Sequence, residues 1–82
     1  MVMFVVEHAF DPPLTEASLK AAFDRLGPCL ETHGAKWRRS YLSADMKRLI
    51  CEFEAGDAES LRASMRSAKV PFDKVWQAAL LT

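Results

Sequence analysis

Few residues of this 82-residue chain are suited to chemistry. They are two histidines, His8 and His33, two cysteines, Cys29 and Cys51, and a set of carboxylates and guanidinium groups interleaved with aromatic residues. A transition metal needs several imidazole, thiolate or carboxylate donors converging on one point. The candidates are His8, His33, Cys51, Glu7, Glu52 and Glu54, and no CxxC pair or zinc ladder gathers them. Glu7 and His8 are adjacent, so a strand turns them to opposite faces. His8 is the one metal ligand expected, for a divalent transition metal, with further donors supplied by a second subunit. For nucleophilic catalysis a cysteine needs a base within reach. Cys51 is expected to be buried with no histidine on its strand, and Cys29 lies beside Gly27-Pro28. Both read as reduced thiols packing as small hydrophobes, and no catalytic residue is assigned. Glu7, Tyr41 and Arg48 offer one acceptor, one aromatic wall and one donor. That trio suits a small anionic or phenolic ligand, or proton transfer. The plainer reading of Glu7 and Arg48 is a cross-strand ion pair.

These side chains must be positioned by a single domain spanning residues 1–82. Half of the residues are hydrophobic and 27% are charged, a globular composition. Eleven basic residues balance eleven acidic ones, which removes the electrostatic footprint of non-specific nucleic-acid binding. The apolar run from Val2 to Val6 is far shorter than a bilayer requires, so neither nucleic acid nor membrane is an expected partner, and a cytoplasmic location is expected.

Val2 to Val6 reads as a first strand, stopped by Asp11-Pro12-Pro13. Thr15 is the cap of a helix whose apolar stripe is Leu19, Ala22, Phe23, Leu26 and Leu30. Pro28 predicts a kink or an early end, and Gly34 closes the element. That helix spans roughly 25 Å, which holds His8 and His33 at opposite ends of the protomer. Period-two patterns over Ala35–Leu42 and Lys47–Glu54 predict a hairpin through Ser43–Met46. Asp57 caps a second helix that Pro71 ends, with Ala58, Leu61, Met65 and Ala68 as its apolar face. Asp73 to Leu80 supplies a last strand. The order βαββαβ predicts an α+β, ferredoxin-like fold: a four-stranded antiparallel sheet in the order 4-1-3-2, with two helices on one face.

Centring the hairpin on Ala44-Asp45 pairs Tyr41 with Arg48, Arg39 with Ile50 and Trp37 with Glu52, all on one face. Leu49, Cys51 and Phe53 then face the helices with Val2, Phe4 and Val6. The open face collects Met3, Val5, Glu7, Trp37, Arg39, Tyr41, Arg48, Ile50, Glu52 and Glu54. Two large aromatics and three aliphatics exceed what a monomer usually leaves wet, which predicts a homodimer through this open sheet face. A small-molecule or metal ligand could sit between the sheet and the partner subunit. An RNA-recognition module shares the element order, but its third strand needs aromatics on the open face. Here those positions are Arg48, Ile50 and Glu52, which argues against RNA.

The runs Phe4-Val5-Val6-Glu7-His8, Trp37-Arg38-Arg39-Ser40-Tyr41, Cys51-Glu52-Phe53-Glu54-Ala55 with Asp57-Ala58-Glu59, and Val70-Pro71-Phe72-Asp73-Lys74-Val75 resemble a family of small bacterial proteins. Some of its members are called nickel-binding proteins. The resemblance covers nearly the whole chain and implies a ferredoxin-like fold, a dimer and a soluble bacterial protein. Nickel-binding relatives are richer in histidine, whereas this chain keeps only His8 after its first strand and has Ser67-Ala68-Lys69 at the end of its second helix. The leading expectation is a small dimeric binding or interaction protein of unassigned ligand, with nickel or another divalent transition metal held through His8 as one candidate, and with Glu7, His8, Trp37, Arg39, Tyr41, Arg48 and Glu52 as ligand-binding residues. The rival is a cofactor-free dimeric α/β-barrel enzyme of isomerase or monooxygenase type. A sealed cavity lined by Glu7, Arg39 and Tyr41 would mark that enzyme.

Overall fold

A computed structural model describes residues 1–81. The elements run β1 (Val2–Ala9), α1 (Glu16–Thr32), β2 (Lys36–Leu42), β3 (Arg48–Ala55), α2 (Ala58–Ala68) and β4 (Lys74–Gln77). All strand pairs are antiparallel and the sheet order is β2-β3-β1-β4, the expected order read from the other edge. Phe4, Val6, Cys51 and Phe53 from the sheet join Leu26 and Leu30 of α1 and Leu61, Met65 and Ala68 of α2 in one buried cluster. Both helices therefore cover the same face, and the fold is ferredoxin-like. Among the described residues no helix is long and apolar enough to cross a membrane.

Local chemistry accounts for the helix ends. Thr15 Oγ1 accepts from the Ser18 amide, and Ser18 Oγ accepts from the Thr15 amide, a reciprocal cap. At the other end of α1, Gly34 takes a φ of 69°, and the amides of Ala35 and Gly34 bond the carbonyls of Leu30 and Glu31. The same pattern ends α2 at Lys69, with a φ of 57°, while Val70 N–H bonds Met65 O and Lys69 N–H bonds Arg66 O. The stop thus comes from Lys69, two residues before Pro71.

Three expectations need correction. Helix α1 runs on to Thr32 with Pro28 inside it. The carbonyl left without a helical donor is that of Asp24, and residues 24 and 28 are both exposed, so this side of the helix is open to solvent. Strand β4 is four residues long, shorter than expected. The β2–β3 register pairs Tyr41 with Ile50 and Arg39 with Glu52, two residues away from the pairing centred on Ala44-Asp45. The turn lies further along because Met46 adopts a φ of 62° and Ser43 Oγ accepts from the Arg48 amide at 2.9 Å.

Candidate functional site

A shift of two preserves side-chain faces, since strand alternation has period two. Arg39, Tyr41, Ile50 and Glu52 therefore share the open face with Met3, Val5 and Glu7. Trp37 does not. A bulge between Trp37 and Arg39 inserts one residue and reverses the alternation, so Trp37 pairs with Phe53 of the core. Its ring meets Phe23 of α1 edge-on at 5.8 Å. Trp37 leaves the expected open-face group and, half exposed, lines a groove of about 330 Å³ with Phe23, Leu26, Gly27 and Leu30 of α1.

On the open face Glu7 is the hub. Trp76 Nε1 donates to Glu7 Oε2 at 2.8 Å, and Arg48 Nη2 approaches Glu7 Oε1 at 3.7 Å. Arg39 Nε stands 3.3 Å from Glu52 Oε1. These pairs are half-wet, so they orient side chains more than they stabilise the fold. Tyr41 and Trp76 are about half exposed. Val5 is buried yet lies outside the core cluster, because Trp76 and the residues after β4 shelter it. A recess of about 240 Å³ there is lined by Met3, Val5, Arg39, Glu52, Trp76 and Leu80, among others, and takes in neither Glu7 nor Tyr41. The trio expected to line an enzyme cavity is thus not assembled around this recess. Trp76 was not among the residues singled out from the sequence. Alternation with core-packed Val75 was the available signal.

His8 lies on the opposite face from Glu7. Because β1 continues to Ala9, its ring turns under the helices and is 2% exposed. Nδ1 is 2.7 Å from the Pro71 carbonyl, which only accepts, so Nδ1 carries the hydrogen. The ring stacks on Phe10. Burial pushes the His8 pKa down, against smaller upward pulls from the Pro71 hydrogen bond and the charge of Asp73. Cys51 is 1% exposed, and burial pushes its thiol up while a hydrogen bond from Ser40 opposes that shift. Trp37 Nε1 donates to Ser40 Oγ at 2.8 Å, and Ser40 Oγ donates to Cys51 Sγ at 2.9 Å.

The family model described as "Nickel responsive protein SCO4226-like" matches residues 4–77. The chain belongs to this family. The crystal structure of SCO4226 from Streptomyces coelicolor A3(2) superposes with a TM-score of 0.86 at 15% sequence identity, covering 98% of this chain and 99% of that one. At this identity the likeness carries the fold. No curated protein matches the chain. The family description makes nickel the cation to test against the residues present. Among the described residues no three His, Cys, Asp or Glu side chains cluster closely enough to hold an ion. Nickel(II) favours four or more nitrogen and oxygen donors, so the donor set of one protomer does not fit a nickel centre.

Proposed function

We propose that this protein is a small binding protein of the nickel-responsive family that works as a homodimer. Its ligand is held where two open sheet faces meet, by Glu7, Arg39, Tyr41, Arg48, Glu52 and Trp76. The observation that carries this reading is the half-exposed aromatic pair Tyr41 and Trp76 flanking balanced ion pairs on one broad face. Glu7 with Arg48 and Arg39 with Glu52 carry no net charge, so a second copy meets the face without repulsion. A two-fold axis can set acid against base from each side. The domain measures 33 × 31 × 17 Å. Its broad face is of the size that a standard interface of about 800 Å² per partner needs.

Nickel enters this reading at the level of the dimer. Since one protomer does not gather the donors, a nickel site requires carboxylates or imidazoles from both subunits. Native mass spectrometry of the untagged protein, with and without nickel, tests both parts. The expected result is a dimer, with nickel retained only by the dimeric species. A monomer at every concentration overturns the reading, and nickel retained by a monomer overturns the shared site.

A further inference from the structure

One row of the sheet runs straight across the open face. Strand pairing sets Arg39 opposite Glu52, Glu52 opposite Val5 and Val5 opposite Trp76, one residue from each of the four strands. Directly paired residues point to the same side, and these four all line the recess of about 240 Å³. Its remaining walls are Met3 and the chain from Ala78 to Leu80. The row grades from an ion pair at the β2 edge, through an apolar floor, to an indole at the β4 edge. Three strand spacings separate its ends, roughly 14 Å between backbones. With side chains reaching in from both ends, the gap suits one aromatic ring and its charged group. The recess also falls below the range of about 300–1,000 Å³ usual for drug-sized ligands, which again favours a single ring.

Each end is set for a different part of such a ligand. Trp76 Nε1 donates to Glu7 Oε2 at 2.8 Å, which fixes the indole by its polar edge and leaves a half-exposed ring face for stacking. Glu52 Oε1 stands 3.3 Å from Arg39 Nε, beyond the ordinary range of an N–H···O bond. A guanidinium presents its N–H donors in a rigid fork, so a second carboxylate can be held beside this loose pair. The local charge favours an anion as well. Lys36 lies opposite Glu54 across the strands, and Arg38 Nε is 3.7 Å from Glu54 Oε2. Strand β2 thus brings Lys36, Arg38 and Arg39 to the open face against Glu52 and Glu54 of β3. One positive charge is left over at this edge, and a monoanion cancels it.

We propose, on the reading of the open face as a ligand surface, that this recess binds a small aromatic carboxylate. The ring lies over Val5 against Trp76, and the carboxylate sits on the Arg39 guanidinium. Every wall named belongs to one protomer, so binding here does not require the partner.

The test titrates benzoate, and separately its uncharged counterpart benzamide, into the whole isotope-labelled protein. The reporters are the indole N–H resonances of Trp37 and Trp76, assigned with Trp37→Phe. Benzoate should shift the Trp76 signal saturably and leave that of Trp37, on the helix side, in place. Benzamide should bind at least about tenfold more weakly, because it offers Arg39 no charge. Arg39→Gln should weaken benzoate at least about tenfold and change benzamide by less than about twofold. Added salt should weaken benzoate alone in the unmutated protein, a reading independent of any variant. An unmoved Trp76 signal, equal shifts of both indoles, or equal affinity for benzoate and benzamide overturns the proposal. Sedimentation of the same samples separates this site from the dimer. A monomer that binds benzoate keeps the site and refutes the dimer, and a dimer that ignores benzoate does the reverse.

Discussion

If two open sheet faces meet, removing the aromatic ring of Tyr41 weakens the dimer by an amount the structure bounds. Tyr41 is 55% exposed. An aromatic side chain of its class presents about 150–250 Å², so roughly 100 Å² remains for a partner to cover. At about 25 cal/mol per Å² this is about 2.5 kcal/mol. A two-fold axis places Tyr41 in the interface twice, which doubles the loss to about 5 kcal/mol for Tyr41→Ala. The dimer dissociation constant then rises by between three and four orders of magnitude, and by about one if only a third of that area is covered. Sedimentation equilibrium over a wide concentration range reads this directly. Far-ultraviolet circular dichroism should be unchanged, because Tyr41 lies outside the buried core and its backbone pairing with Ile50 survives the substitution. Lys20→Ala is the control, since its ion pair with Asp24 sits on the exposed side of α1. A dissociation constant within about threefold of the unmutated protein refutes the open-face dimer, as does an equal effect from Lys20→Ala.

Three further outcomes test the fold that positions these residues. Phe53 is fully buried between sheet and helices, so Phe53→Ala should cost about 3–5 kcal/mol, and calorimetry should show a Tm lower by about 15–30 °C. Lys69 sits at a φ of 57°, where a Cβ is unfavourable, so Lys69→Gly should raise the Tm by a few degrees. A fall in Tm would show that the αL conformation there is not costly. Asp57 caps α2 through the Ser60 amide, and that bond holds its carboxyl below the ordinary value of 3.8. The charged form is favoured in the folded state, so its contribution is complete above that value and is lost as pH falls through the folded pKa. Urea melts of Asp57→Ala and the unmutated protein should therefore differ at pH 6 and converge in strong acid. A gap that widens on acidification would refute the cap.

Strand alternation made most of the open face legible, and parity explains why. The β2–β3 turn was misplaced, yet the resulting shift of two residues kept Arg39, Tyr41, Ile50 and Glu52 on the expected side. Only the partners changed, giving Arg39 an ion pair with Glu52 in place of a contact with Ile50. A shift of one would have inverted the strand, and the bulge near Trp37 does so locally. Nothing in Lys36-Trp37-Arg38-Arg39 announces it, because no glycine marks the extra residue. The bulge is explained by packing: Phe23 of α1 offers Trp37 an apolar surface at the sheet edge, a contact between residues far apart in sequence.

His8 and Cys51 were both visible as chemistry-bearing residues, but their neighbourhood was not. Alternation assigns a face within one strand. The distance between side chains on two strands requires the register as well, and β1 and β3 are joined through α1 and β2 with no short turn to fix it. The register follows from burying Phe4 and Val6 against Phe53 and Cys51. That same pairing carries His8 beneath the helices, where it and Cys51 both line one small apolar cavity. Alternation along β1 already separates His8 from Glu7 across the sheet, and the strand's continuation to Ala9 keeps that separation. The core that sets the register adds what alternation cannot, Cys51 as the diagonal neighbour of His8 on the helix-facing side.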